Sequence, residues 1–310
     1  MTMRRHPFQV SKKQWAAVIL LALGGFCLWW FYAGASVQHK EFADGKEKPQ
    51  VVASGYVAYS LAREIGGELV MLSMLVPPGV EPHHFEPTPG AIIAVEKSDL
   101  FVYVSPQAEP WTLDILQGTA GVRAVAAGAI EPGEDPHVWM TPYGALAMAK
   151  QIAAALQKAD PAHKSYYQQN VKQFQQRMKQ LHEDFLAGLA TCKNRAVVHV
   201  GHLAFRQLAE TYGLELQSLS GTTHQGEHSV YKLTGLVRQI RKKHIPAIFT
   251  EQLLSPELAA AVAQETRVQV LPLYTIEEVS KKDFEQGVSY EELMRRNLEN
   301  LQKGLKCQAL

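Results

Sequence analysis

The sequence predicts an α/β protein with two similar lobes, each a mostly parallel sheet flanked by helices, joined by one long helix. Short apolar runs alternate with helical segments from about residue 50, which is the pattern of a parallel sheet covered on both faces. A second alternating series after about residue 192 follows the same plan. The longest amphipathic stretch of the chain lies between the two series.

Composition limits the kind of partner. The chain has 310 residues, of which 46% are apolar and 20% charged, as in an ordinary globular protein of one large or two small domains. Its 31 basic and 30 acidic residues give a net charge of +1. Nucleic-acid-binding proteins usually carry a clear basic excess, so we expect no nucleic-acid partner.

The N-terminal segment predicts export. Basic residues precede an apolar run from Trp15 to Tyr32, and Ala33-Gly34-Ala35 fits a cleavage site. The run is also long enough for an uncleaved membrane anchor, so residues 1–35 are interpreted as either a signal peptide or an anchor. Residues 36–49 form a charged tether. We therefore expect the body of the protein in the periplasm or at the cell surface, and membrane-associated if the segment is uncleaved.

The first lobe is predicted to span residues 50–159. Its predicted strands are Val51–Ser54, Leu69–Val76 and Leu100–Val104, and its predicted helices are Ala58–Gly66, Pro89–Lys97 and Trp111–Leu116. The segment 117–134 is polar and weakly patterned, and no element is predicted in it.

Residues 160–191 predict the long linking helix. Asp160 is suited to the N-cap and Pro161 to the first helical position. About thirty residues at roughly 1.5 Å each give a helix of roughly 45 Å, long enough to run along both lobes. Apolar residues recur every three or four positions, at Tyr167, Val171, Phe174, Met178, Leu181, Phe185 and Leu189.

The second lobe is predicted to span residues 192–310. Cys192 and Cys307 are an even pair in the exported part, which predicts one disulfide; two unpaired buried thiols are the alternative. The predicted elements, alternately strand and helix, are Arg195–Val200, Leu203–Tyr212, Glu215–Leu219, Val230–His244, Ala247–Thr250, Pro256–Glu265, Val268–Leu273 and a terminal helix Tyr290–Lys306.

Three histidines stand in loops that follow chain breakers or apolar runs. His83 lies in the proline-rich stretch 76–89, His137 follows Asp135-Pro136, and His202 follows a predicted strand. Prolines fix φ and hold such a loop in one extended shape. Imidazoles from three distant loops suit a metal ion held in a cleft between two lobes, and their spacing excludes a local zinc finger. For His83 and its neighbour His84, a plain role in a surface loop is the alternative.

These residues carry a resemblance to a known family. The motifs Gly79-x-x-Pro82-His83-x-Phe85-x-Pro87-x-Pro89, Asp135-Pro136-His137-Val138-Trp139 and His202-x-Ala204-Phe205 resemble those of the solute-binding proteins of zinc and manganese ABC importers. The resemblance runs from about Gln50 to Cys307. It implies an extracytoplasmic receptor that captures a divalent ion and hands it to an ABC permease, with a rigid linking helix and no catalysis. Many zinc-type relatives carry a histidine-rich loop near residues 117–134, which this sequence lacks.

The fourth metal ligand is ambiguous in the sequence. Many relatives have an aspartate near the end of the last strand, but segment 268–274 contains no acid. We expect Glu251, after the predicted strand Ala247–Thr250, to take that place, with water or Glu277 as alternatives. Three imidazoles and one oxygen suit Zn²⁺, whereas Mn²⁺ prefers more oxygen ligands. Zinc is therefore the expected ion, and a manganese or iron receptor is the alternative. Since each imidazole must lose its proton to bind, affinity should fall below about pH 6.5.

Other functions were weighed against this one. His224 and His228, in a polar loop, are interpreted as an accessory metal site or as solvated side chains. A secreted zinc hydrolase is the rival function, because an open three-histidine site can activate water. The His-Glu-x-x-His and Gly-x-Ser-x-Gly motifs are absent from the sequence, so no enzyme is expected. A surface adhesion module would depend on the anchor alone. We expect a monomer.

Overall fold

Two four-stranded parallel sheets organise the part of the chain that the structure describes. The structure is a computed structural model, and it describes residues 48–119, 121–218, 230–252 and 256–308. The predicted signal peptide or anchor, most of the tether, and the pair His224 and His228 lie outside these residues. Among the described helices, none has the length and apolar character needed to cross a membrane.

The first sheet lies in the N-terminal half. Its strands are β1 (Gln50–Ala53), β2 (Met71–Met74), β3 (Leu100–Tyr103) and β4 (Ala124–Ala126), all parallel and in the order β2-β1-β3-β4. The connections contain helices α1 (Tyr56–Gly66), α2 (Pro89–Glu96) and α3 (Thr112–Gly118). Every residue of β3 is buried, as expected for a central strand covered on both faces. Strand β4 is not among the predicted elements.

Two consecutive helices connect the sheets, α4 (Pro142–Ala159) and α5 (Lys164–Ala190). Helix α4 is not among the predicted helices, although the Thr141 hydroxyl caps it by accepting a hydrogen bond from the Gly144 N–H. The helical stretch begins where it was predicted, because Asp160 stands at the N-cap of a short 3₁₀ turn (Pro161–His163) that leads directly into α5. The Asp160 side chain does not cap this turn, and its carboxylate instead accepts a hydrogen bond from the Tyr167 hydroxyl at 2.7 Å.

The second sheet repeats the plan of the first. Its parallel strands are β5 (Ala196–Val200), β6 (Glu215–Ser218), β7 (Ala247–Glu251) and β8 (Gln269–Leu273), in the order β6-β5-β7-β8. The helices are α6 (Arg206–Thr211), α7 (Val230–Lys243), α8 (Pro256–Thr266), α9 (Lys281–Glu285) and α10 (Tyr290–Gly304). The predicted two-lobed α/β fold is thereby confirmed. The boundaries proposed between the lobes, near residues 160 and 192, stay a prediction.

Helix α5, of 27 residues, packs against helices from both halves of the chain. It contacts α1, α4 and α10, and six of its seven predicted apolar positions are at most 1% exposed. Arg177 of α5 pairs with Glu64 of α1 and, at 3.1 Å, with Glu291 of α10. The apolar core of the first lobe continues through Phe174 of α5 to Phe249 of the second sheet. Because packed interiors deform little, this shared core opposes a wide hinge motion.

A disulfide joins the end of α5 to the chain that follows α10. Cys192 and Cys307, which are 115 residues apart in sequence, are bonded, and the prediction of one disulfide is confirmed. A disulfide typically stabilises a fold by about 2–4 kcal/mol.

Candidate metal centre

Four functional side chains lie where strands of the two sheets end. His83 follows β2, His137 follows β4, His202 lies two residues after β5, and Glu277 lies four residues after β8. The carboxyl ends of parallel strands share one edge of a sheet, and open α/β sheets bind ligands at that edge. The two sheets therefore bring residues from both halves of the chain to one place.

These four side chains converge in one buried cluster. One nitrogen of each histidine and one carboxylate oxygen of Glu277 all lie within 4.8 Å of one another. The Nε2 atoms of His83 and His202 are 2.7 and 2.9 Å from the two oxygens of Glu277. His202 Nε2 is 3.2 Å from His137 Nε2. None of the four side chains is more than 6% exposed, so they face one another without bulk water.

A hydrogen bond behind each imidazole turns its Nε2 toward the cluster. His83 Nδ1 lies 2.6 Å from the Ala108 carbonyl, His137 Nδ1 lies 2.7 Å from Asp135 Oδ1, and His202 Nδ1 lies 2.9 Å from Glu251 Oε1. An acceptor at Nδ1 places the proton there, which leaves the Nε2 lone pair for a metal ion. The three imidazoles are thus pre-oriented as ligands.

Asp135 and Glu251 each hold a histidine by two hydrogen bonds. Asp135 Oδ1 also accepts the backbone N–H of His137 at 3.1 Å, and Glu251 Oε1 accepts the backbone N–H of His202 at 2.7 Å. At each of these two histidines, one carboxylate oxygen therefore holds both the backbone N–H and the imidazole ring. The position of Asp135 behind His137 makes it a support for the imidazole.

A glycine makes room for the Glu251 carboxylate. A Cβ atom added at Gly201 would lie 2.0 Å from Glu251 Oε1 and 2.6 Å from His199 Cε1. These distances are far below van der Waals contact. Only glycine at this position lets Glu251 reach His202.

Charges of both signs meet in the cluster. Burial lowers the pKa of both His83 and His202, but the Glu277 charge outweighs burial and raises the pKa of His83 to about 9. Glu277 and Glu251 together raise the pKa of His202 to about 11 against the same effect of burial. Burial would raise the pKa of Glu277, but the two imidazolium charges hold it well below its usual range. Two protonated rings thus surround one carboxylate.

The structure brings the three predicted histidines together with Glu277 and not with Glu251. Glu251 ends β7 and is buried, yet its oxygen faces His202 Nδ1, on the side of the ring away from the cluster. Glu277, named above only as an alternative, supplies the carboxylate at the centre. Glu277, and not Glu251, therefore lies with the three histidines, and the identity of the fourth ligand stays a prediction. The possible accessory pair His224 and His228 lies outside the described residues and stays a prediction.

One backbone feature explains why the sequence did not single out Glu277. Ile276, the preceding residue, has φ 67°, a left-handed conformation that β-branched residues rarely adopt. This turn directs the Glu277 side chain back into the cluster. The sequence indicated Glu277 as a ligand only by its position just after the last strand of the second sheet. His202 has a comparable position after β5.

The sequence of this chain is similar to a known protein family and to several named proteins. The family described as Zinc-uptake complex component A periplasmic, ZnuA, matches residues 51–304. Zinc-binding protein AdcA of Streptococcus pyogenes is 30% identical over 304 residues, covering 87% of this chain and 58% of that protein. This chain therefore spans less than two thirds of that relative. High-affinity zinc uptake system protein ZnuA of Bacillus subtilis is 28% identical over 317 residues, covering 94% of this chain and 98% of that protein.

Solved structures are also similar to this chain. The Zn(II)-bound ZnuA-like domain of Streptococcus pneumoniae AdcA matches with a TM-score of 0.75 at 28% identity, covering 84% of this chain and 99% of that domain. The matched range 51–304 includes both sheets, the long helix and all four clustered side chains. On the strength of that match, this chain belongs to the ZnuA family of zinc-uptake complex component A periplasmic proteins.

Proposed function

We propose that this protein is an extracytoplasmic solute-binding protein that captures one zinc ion between its lobes and delivers it to an ABC permease. The observation that carries the proposal is the buried cluster of three imidazoles and one carboxylate. Zinc takes four nitrogen and oxygen ligands in a tetrahedron, and bonds of about 2.0–2.1 Å place two of its nitrogens about 3.3 Å apart. The separation of 3.2 Å between His137 Nε2 and His202 Nε2 agrees with that spacing.

Charge also favours a divalent cargo. The protons on His83 and His202, whose pKa values are raised to about 9 and 11, carry two positive charges in the ion-free cluster. A zinc ion that replaces both protons leaves the total charge of the buried site unchanged. The site therefore accepts a divalent cation without burying additional charge, which would be costly.

The alternative cargoes, manganese and iron, fit the ligand set less well. Mn²⁺ suits carboxylate, carbonyl and water ligands, commonly six in number. This cluster offers a single carboxylate, and its four members are buried. Zinc is thus the cargo that the donor set favours, in agreement with the zinc named in the relatives.

The ligand set also argues against the hydrolase alternative. A catalytic zinc keeps three protein ligands and an open position for water or substrate. Here Glu277 supplies a fourth buried ligand, so the tetrahedron is filled by protein. A filled site suits storage and transfer of an ion, and the protein is proposed to be a receptor and not an enzyme.

Location and partners follow from the family. The description "periplasmic" and the lipoprotein names of pneumococcal relatives support a site of action outside the cytoplasm, in the periplasm or at the cell surface. The partner proposed is the membrane permease of a zinc ABC importer. We propose that the receptor acts as a monomer, attached to the membrane if the N-terminal segment is uncleaved, and that it takes no part in nucleic-acid binding.

Metal analysis of the purified full chain tests the proposal. We expect one tightly bound zinc ion per chain, retained in competition with a chelating dye, and a large loss of affinity in His137→Ala. Tyr167→Phe, which removes a buried hydroxyl from α5 away from the cluster, is the control and should bind zinc normally. Unchanged zinc binding in His137→Ala would contradict the proposed site, and turnover of peptide or ester substrates would favour the hydrolase.

A further inference from the structure

Trp139 connects the two lobes beside the cluster. It lies in a short 3₁₀ turn (Val138–Met140) that directly follows His137, and it is 1% exposed. Its indole Nε1–H donates a hydrogen bond of 2.8 Å to the Thr275 carbonyl, in the loop after β8. Its own carbonyl accepts a hydrogen bond of 2.6 Å from the Tyr290 hydroxyl at the start of α10. Both contacts join the N-terminal half of the chain to the C-terminal half.

Each end of the indole hydrogen bond stands next to a proposed ligand. Trp139 lies two residues after His137, and Thr275 lies two residues before Glu277. The His137 and Trp139 rings also meet edge-on, with their centroids 5.2 Å apart. A single side chain therefore ties the backbone that carries His137 to the backbone that carries Glu277.

The loop that bears Glu277 needs such a restraint. Ile276, between Thr275 and Glu277, is held at φ 67°. A β-branched residue keeps this unfavourable conformation only where its surroundings enforce it. On one side of Ile276 the loop is bound by the Trp139 indole, and on the other side the Val279 carbonyl accepts the Gly79 N–H at 2.9 Å. Loss of the indole bond would let the turn relax and move Glu277.

We propose that Trp139 is a positioning residue that fixes Glu277 relative to His137 and thereby sets the retention and the selectivity of the site for zinc. This inference rests on the proposed function. A carboxylate held at one distance from three imidazoles enforces a compact tetrahedral site. Once it is free to shift, the same donors admit water and a higher coordination number, which Mn²⁺ prefers.

The variant Trp139→Phe tests the proposal, because it removes the indole N–H and keeps an aromatic ring against His137. Tyr167→Phe is the matched control, since it removes a side-chain hydrogen bond to Asp160, and neither residue belongs to the cluster or to the loop that bears Glu277. The purified full chains are loaded with Zn²⁺, Mn²⁺ or Co²⁺. Measurements are the zinc dissociation rate into excess chelator, the ratio of zinc to manganese affinity, and the visible absorption of bound Co²⁺, which is strong in tetrahedral sites.

For Trp139→Phe we expect zinc to dissociate about tenfold faster, because one buried hydrogen bond is lost and a buried carbonyl is left unpaired. The zinc-to-manganese affinity ratio should fall by a similar factor, and the Co²⁺ absorption should weaken. Tyr167→Phe should change none of these three quantities. A merely structural role of Trp139 would lower the melting temperature of Trp139→Phe and leave its Co²⁺ spectrum unchanged.

Tyr290→Phe provides a second route if Trp139→Phe does not fold. It removes the hydroxyl that holds the Trp139 carbonyl, and we expect a smaller change in the same direction. If the Co²⁺ spectrum and the metal preference of the folded variants equal those of the wild type, the positioning role is overturned while the proposed zinc receptor stands. If the wild type itself binds no zinc, both proposals are overturned.

Discussion

Zinc binding should release about two protons per ion at pH 7.5. The pKa values of His83 and His202 in the ion-free cluster are raised to about 9 and about 11. At pH 7.5 more than roughly nine-tenths of each ring is therefore protonated. An imidazole binds a metal ion only in its neutral form, so both protons must leave when zinc enters.

The direction of the pH dependence follows from this competition. A proton held at Nε2 excludes zinc, so affinity rises with pH and falls as the pH is lowered. Release of two protons corresponds to a change of about a hundredfold in affinity per pH unit. This dependence should persist up to about pH 9 and then fall to about tenfold per pH unit, because above that pH His83 is neutral without zinc while His202 still holds its proton. The limit near pH 6.5 expected from the sequence therefore moves upward, because Glu277 stabilises both charged rings.

Titration calorimetry in two buffers of different ionisation enthalpy, neither of which binds zinc, measures the proton release. Glu277→Gln removes the charge that raises both pKa values, and its release should fall to about one proton, because Glu251 still raises the pKa of His202. Glu291→Gln changes a carboxylate on α10 that pairs with Arg177 and should release as many protons as the wild type. One proton or fewer from the wild type, or equal release from Glu277→Gln, would refute the reasoning.

Three further outcomes are expected. Glu277→Gln should lower zinc affinity more than Glu251→Gln, because Glu277 is the proposed ligand and Glu251 only supports His202. Glu251→Gln should lower the affinity by about 10–100-fold. A larger loss of affinity for Glu251→Gln than for Glu277→Gln in competition titrations would reverse the two roles. Gly201→Ala should also cost about 10–100-fold, because its Cβ would displace the Glu251 carboxylate from His202; normal zinc affinity in a folded variant would disprove that contact. The double change Cys192→Ser and Cys307→Ser should lower the unfolding free energy by about 2–4 kcal/mol in urea with one zinc still bound, and loss of the zinc would show that the disulfide also shapes the site.

Most of the fold could be predicted from the spacing of apolar residues, because buried positions in a helix or strand must be apolar. The strands of the second sheet and helix α5 were predicted closely, since their buried positions carry large apolar side chains such as Phe174 and Phe185. Helix α4 was missed because four of its nine buried residues, Ala145, Ala149, Ala153 and Ala155, are alanines, which contrast weakly with the exposed face. Strand β4, with three residues, is too short to show a period.

The candidate site was predictable in its imidazoles and not in its carboxylate. His83, His137 and His202 follow strands, and parallel strands gather such loops at one edge. The choice between Glu251 and Glu277 depends on side-chain direction. Glu251 reaches the far side of the His202 ring because Gly201 leaves room, and Glu277 turns inward because Ile276 adopts a left-handed backbone. Nothing in the local sequence signals either feature, since isoleucine ordinarily avoids that conformation.

The most direct test of the account is a crystal structure of the zinc-loaded protein with anomalous scattering recorded at the zinc edge. We expect one strong zinc peak bound by Nε2 of His83, His137 and His202 at about 2.0–2.1 Å and by a Glu277 oxygen at about 2.0–2.2 Å. Asp135 and Glu251 should remain behind their histidines without touching the ion. A zinc peak at any other place, or one bound by Glu251 in place of Glu277, would contradict the account.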